Sequence, residues 1–220
     1  MRWIRLRSLL LINLALFFVF LLGLLFTGHA QENSELADHG QPPQSLGRYV
    51  VSSSFGEAVF ENWESEFLQM GMYVLLTAYL VQKGSAESRP LEGSAPQDED
   101  PRKHRNDTSA PWPVRHGSAG VLWLYENSLA IAFGLVFLLS FWLHAVTGAA
   151  AFSEEQAQHG GETVTAWQYV QTSQFWYESF QNWQSEFLAV AAIVGGSVYL
   201  RQRRSAQSKP VHAPHSETGA

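Results

Sequence analysis

The sequence predicts an all-α integral membrane protein, with four transmembrane helices arranged as two parallel two-helix repeats with outer amphipathic helices. Three observations carry this expectation. Long apolar runs alternate with very polar stretches, which a mean hydropathy of -0.09 averages away. The signature Phe60-Glu-Asn-Trp-Glu-Ser-Glu-Phe-Leu68 returns as Phe180-Gln-Asn-Trp-Gln-Ser-Glu-Phe-Leu188, with seven of nine positions identical at an offset of 120. Finally, Lys and Arg concentrate in alternate segments of the chain.

The first span is expected near 8–28. Leu9 to Phe26 holds 18 residues, of which only Asn13 is clearly polar, long enough to cross ~30 Å of hydrocarbon as a helix. The rival reading is a cleaved signal peptide, with Gly28-His-Ala30 as the cleavage site. An apolar core this long exceeds the usual h-region of roughly 7–15 residues, which favours retention. His29-Ala30 also matches His144-Ala145, where no cleavage is plausible.

The outer segment that follows is polar. Glu35 and His39, like Glu155 and His159, stand four apart and offer a zinc-ligand pattern. The commoner reading is an ordinary side-chain pair before a glycine helix end at Gly40 and Gly160. Ser54-Phe-Gly-Glu57 reads as a capping box that starts an amphipathic helix. Glu57, Glu61 and Glu64 then share one face, expected to be solvated, and Phe60, Trp63 and Phe67 another. Trp belongs at headgroup level, so this helix should approach along the interface and continue into the second span, near 63–83.

That second span is short unless the signature contributes to it. Phe67 to Val81 covers only ~22 Å at 1.5 Å per residue. Asn62, Glu66, Gln69 and Tyr73 then form a polar stripe. Glu61 and Glu64 become Gln181 and Gln184 in the second copy, whereas Glu66 stays acidic as Glu186. A carboxylate inside the hydrocarbon edge is costly and should face the bundle interior. Glu66 and Glu186, with Asn62, Asn182, His29 and His144, therefore form the candidate polar site. Two close carboxylates resist double ionisation, so the pair would share a proton or hold a cation. The competing reading is structural: snorkelling, helix capping or interhelical hydrogen bonds.

Residues 84–120 are rich in Pro, Ser and charge and read as a flexible cytoplasmic linker. Asn106-Asp-Thr108 matches a glycosylation acceptor but lies on the wrong side to be used. The third span is expected near 121–146 and the fourth near 183–201, with Ala130/Gly134, Ala191/Gly195 and Ala192/Gly196 as small-residue packing pairs. The first unit thus covers 1–83 and the second 121–204, with 205–220 a disordered tail. The first spans align near an offset of 115, which implies about five extra residues around Thr147 to Ser153 in the second copy. Each unit has an even number of spans, so both take the same orientation, unlike inverted transporter repeats.

Basic residues mark the sides. Arg2, Arg5 and Arg7 precede the first span, six Lys or Arg lie between 83 and 115, and Arg201, Arg203, Arg204 and Lys209 follow the last. Only Arg48 lies between 30 and 60, and none between 145 and 185. Both termini are therefore expected in the cytoplasm.

With no cysteine, disulfides, thiolate catalysis and cysteine-bound metals are excluded. The net charge of -6 gives no basis for nucleic-acid binding. The expected partner is the lipid bilayer; protein partners are undetermined by the sequence. No metalloprotease, phosphate-loop, nucleophile-elbow or haem motif appears, and no cofactor is expected. The expected function is a non-enzymatic accessory or envelope component. The alternative is a small proton- or cation-coupled transporter or channel using Glu66 and Glu186. Apolar residues at the cytoplasmic ends of the spans, Leu75, Leu76, Ile193 and Val194, disfavour a continuous polar path.

The duplicated signature, the Pro-Trp-Pro-Val run at 111–114 and the His-Gly helix ends resemble an uncharacterised bacterial membrane protein family, a domain of unknown function (6766). The resemblance covers nearly the whole chain and implies an integral membrane protein; the expected location is the bacterial cytoplasmic (inner) membrane. It brings no activity and no site residues.

Overall fold

The computed structural model describes residues 2–158 and 160–219, and all regular structure among them is helical. A short α1 (Arg2–Leu6) precedes α2 (Ser8–Asp38), which is followed by α3 (Leu46–Tyr49) and α4 (Ser53–Tyr79). Two 3₁₀ turns, Pro96–Asp98 and Pro101–His104, punctuate the middle segment before α5 (Trp112–His116). Next come α6 (Ala119–Glu126), α7 (Ser128–Gln158), α8 (Ala166–Tyr169) and α9 (Ser173–Tyr199).

The helices form for readable reasons. α2 and α7 are 31 residues each, about 46 Å at 1.5 Å per residue, and each is apolar for most of its length. These two helices are long and apolar enough to cross a membrane. No residue of α2 is buried within the fold. α4 and α9 are 27 residues each, and each runs from the polar approach through the signature into the apolar stretch without a break. Ser45, Ser118 and Thr165 cap α3, α6 and α8, each side-chain oxygen accepting a backbone N–H three residues on.

Two expectations change. The third apolar run is not one helix: Asn127 interrupts it, and its side chain donates back to the Trp123 carbonyl (2.8 Å) between α6 and α7. Arg7 occupies the same place between α1 and α2, at an offset of 120. The offset of 115 with extra residues in the second copy is also wrong. The bounds of α2 and α7, of α4 and α9, and the ends of α3 and α8 all recur at 120. Thr27 and Thr147, at that offset, each donate to the carbonyl four residues back at 2.8 Å. His144 therefore stands opposite Leu24 in the alignment, and His29 opposite Ala149.

The chain divides into two compact units. One holds residues 1–60 and 143–172, the other residues 61–142 and 173–220. In the first, Tyr49, Val59, His144, Ala145, Ala149 and Tyr169 form the buried centre. A Cβ on Gly56 would stand 2.7 Å from the Thr147 methyl, so the start of α4 lies directly on α7. In the second, α7 and α9 meet through aromatic rings. Phe141 lies edge-on to Phe175 with centroids 5.1 Å apart, and Phe137 contacts Trp183 at 6.4 Å. Gly71 of α4 faces Phe133 of α7, where an added Cβ would be 3.3 Å from that side chain.

The polar segments of the second unit are laced to it. Tyr73 donates to Glu87 (2.7 Å), and the Ser85 and Ser197 hydroxyls are 2.8 Å apart. In the tail, the buried Lys209 ammonium donates to the carbonyls of Pro214, His215 and Glu217.

Candidate functional site

Two tyrosines organise the first unit. Tyr49, at the end of α3, is buried with its ring against His29 (5.7 Å) and Phe55 (5.5 Å). Its hydroxyl reaches α2 at Gly28, where a Cβ would lie only 2.2 Å away. Burial, then the nearby carboxylates of Glu32 and Glu35, hold the Tyr49 phenol above its ordinary range, so it remains neutral. Tyr169, at the end of α8, lies against Phe152 (5.6 Å) and over Gly148 of α7, where a Cβ would be 2.5 Å from the ring. The loops leading into these tyrosines are stapled at matching positions. Asn33 accepts the Gln44 N–H (2.7 Å), and Ser153 accepts that of Val164 (2.9 Å).

The second tyrosine seat carries the chemistry. Tyr169 donates its hydroxyl to Glu57 Oε1 at 3.2 Å. A ring nitrogen of His144, fully buried on α7, lies within 4.8 Å of a Glu57 carboxylate oxygen. A carboxylate, an imidazole and a phenol thus converge beside a glycine backbone. Glu57 is half-buried, and a carboxylate partly withdrawn from water is stabilised by such a donor. The arrangement can hold a proton between Glu57 and His144, or present one oxygen and one nitrogen to a cation.

The sequence-derived site residues are dispersed differently. Glu66 and Asn62 are exposed on the surface of the second unit, while Glu186 and Asn182 are half-buried. Glu66 and Glu186 are close enough for their charges to interact. Asn182 donates to Glu61 rather than joining a Glu66 cluster. His29 is half-buried and donates to the Gln44 carbonyl (2.8 Å). His144 alone of the six enters a buried centre, with Glu57 as an unforeseen partner.

The glutamate face expected to be solvated is largely enclosed. Glu64 is fully buried and accepts the Trp183 indole N–H at 3.0 Å. The Trp183 indole is half-buried, and the glutamate supplies the acceptor that its N–H requires. Of the zinc-ligand patterns, His39 donates Nδ1 to the Glu35 backbone carbonyl (2.8 Å), while the Glu35 carboxylate accepts from Gln31 (3.1 Å). His159 lies outside the described residues, so the Glu155 pair has no structural description.

Glu57 and Glu64 escape the sequence reading because each occurs in one copy only, opposite Tyr177 and Gln184. The available signal was Thr27-Gly28 recurring as Thr147-Gly148, with Tyr49 recurring as Tyr169. That pattern marks both tyrosine seats.

The chain belongs to the family described as a domain of unknown function, DUF6766, whose match covers residues 1–220. No curated protein and no solved structure matches it.

Proposed function

We propose that this chain is a four-span integral protein of the bacterial cytoplasmic membrane, with both termini in the cytoplasm and a non-enzymatic accessory or envelope role. The observation that carries the reading is α2: 31 residues, apolar over most of its length, with none buried by the protein. So much exposed apolar helix is tolerable only where lipid replaces water. The distribution of Lys and Arg supports the orientation. Helix bounds recurring at an offset of 120 support two tandem units in one orientation, joined by 84–120 on the cytoplasmic side and followed by the tail 205–220. α4 and α9, about 40 Å long, supply the second and fourth spans despite their polar outer turns.

In this reading the buried polar groups are structural. They fasten helices near the outer surface, and the cytoplasmic halves stay apolar, as at Leu75, Leu76, Ile193 and Val194. A second reading, proton or cation transfer, is favoured by one observation, the buried His144 and Tyr169 gathered at the half-buried Glu57. Its site is then Glu57 and His144 rather than Glu66 and Glu186. Reconstitution into proteoliposomes with an imposed pH gradient separates the two. The structural role predicts no flux above empty vesicles. Flux abolished by Glu57→Gln in a normally folded protein would establish transfer instead.

A further inference from the structure

We infer that the cleft at the outer end of the first unit binds the phosphoethanolamine headgroup of a phospholipid. The inference rests on the membrane-spanning reading and goes beyond it. The cleft, about 1130 Å³, runs between the end of α2, the loop to α4 and the outer part of α7. It exceeds the roughly 300–1,000 Å³ of ordinary small-molecule sites, so a headgroup and its glycerol fit together. Its charged lining residues are Glu32, Arg48 and Glu154. One cation and two anions around one cleft suit a zwitterion.

Arg48 is the strongest indication. It is the only Lys or Arg between Arg7 and Lys83, it is exposed, and it makes no ion pair with any carboxylate among the described residues. Its counterpart shows why it is left open. Gln168, at an offset of 120, turns its side-chain oxygen back onto its own helix cap, accepting from the Thr165 N–H and hydroxyl at 2.8 Å each. Arginine has no acceptor and cannot make that cap. Its planar donor fork is instead suited to a phosphate.

The other two charges are also peculiar to this cleft. Glu32 corresponds to Phe152, and Glu154 to Ser34. All three charges therefore have neutral counterparts in the other copy. Glu154 already accepts one hydroxyl, from Ser53 at 3.0 Å, and its remaining lone pairs suit an ammonium with three N–H donors. A quaternary ammonium has no N–H to give and is recognised by aromatic cages. No aromatic side chain lines this cleft among the described residues. Ethanolamine is thus favoured over choline.

Position argues for a lipid over a free solute. Val146 lies in the lining and at the outer boundary of the expected third span, so the cleft opens at headgroup level. Leu36 and Ala150 line it too, and exposed Leu22 and Phe26 lie further along α2, where acyl chains would run.

The test uses the full-length protein, first washed in membranes at alkaline pH, then purified, delipidated and titrated by native mass spectrometry. Short-chain phosphatidylethanolamine should bind about tenfold more tightly than the phosphatidylcholine and phosphatidylglycerol equivalents. Arg48→Gln and Glu154→Ser, the residues of the other copy, should each erase that preference with an unchanged melting midpoint. Equal binding of the three lipids, or a preference intact in both variants, overturns the inference. Soluble phosphoethanolamine binding as tightly as the lipid would overturn the lipid as ligand. Release by the alkaline wash would sink the membrane reading and this inference with it, whereas retention with indiscriminate lipid binding sinks the inference alone.

Discussion

Glycine-to-alanine substitutions along α2 and α7 should separate sharply by position. Gly23 has nothing within 4 Å of an added Cβ, so Gly23→Ala should be neutral or gain at most about 0.5–1 kcal/mol from helix propensity. Gly28→Ala places a methyl 2.2 Å from the Tyr49 hydroxyl. That ring cannot swing away, because it is buried between His29 and Phe55. Overpacking of this kind costs about 1–3 kcal/mol, more than the propensity gain, so Gly28→Ala should be net destabilising. Tyr49→Phe in the same chain removes the colliding oxygen and leaves the nearest ring carbon at 3.1 Å, so it should recover most of the loss. Gly148→Ala should cost a similar amount, but Tyr169→Phe should not rescue it. There the collision is with a ring carbon at 2.5 Å and with the Glu57 carboxylate at 2.9 Å. Reversible unfolding in mixed detergent micelles, followed by tryptophan fluorescence, reads these differences. Gly28→Ala behaving like Gly23→Ala would refute the tyrosine seat and the 120 register with it.

Glu64→Ala should lower stability by about 1–3 kcal/mol, since it removes the fully buried carboxylate that accepts the half-buried Trp183 indole N–H. Glu64→Gln, which keeps an acceptor, should cost less, and a double-mutant cycle with Trp183→Phe should show coupling; additive losses would contradict the bond. Asp98 is held below the ordinary carboxylate range by the Ala95 backbone N–H and then by Arg89. Its folded affinity for a proton is the weaker one, so the stability it lends is present above that range and fades as pH falls through it. Pepsin cleavage within 84–120 should accelerate over that fall, and Asp98→Asn should remove the step; an identical profile in the variant would exclude Asp98 as its cause.

The all-helical character and the two long apolar helices were legible from run length alone, as was the continuous passage from the signature into α4 and α9. The break at Asn127 was not, because Glu126, Asn127 and His144 all interrupt the third apolar run, and nothing in the sequence singles out the asparagine that turns its amide onto its own backbone. The register was misread because His29-Ala30 and His144-Ala145 match at an offset of 115, at which no helix bound recurs. Thr27-Gly28 and Thr147-Gly148 carry the true alignment through the tyrosines that they accommodate. The grouping of Glu57 with His144 and Tyr169 was not legible for a related reason. Retention of an acid in both copies selects Glu66, yet burial depends on what packs against each face. Trp183 happens to need Glu64, and Tyr169 donates to Glu57. Such single-copy pairings leave no trace in the repeat pattern.

The central claim, four spans with both termini inside, is tested most directly by paired reporter fusions of alkaline phosphatase and green fluorescent protein. Fusions after Gly40 and Gly160 should show phosphatase activity without fluorescence, and fusions after Asp100 and at the C-terminus should fluoresce without phosphatase activity. Fluorescence from the Gly160 fusion, or phosphatase activity from the Asp100 fusion, would contradict it.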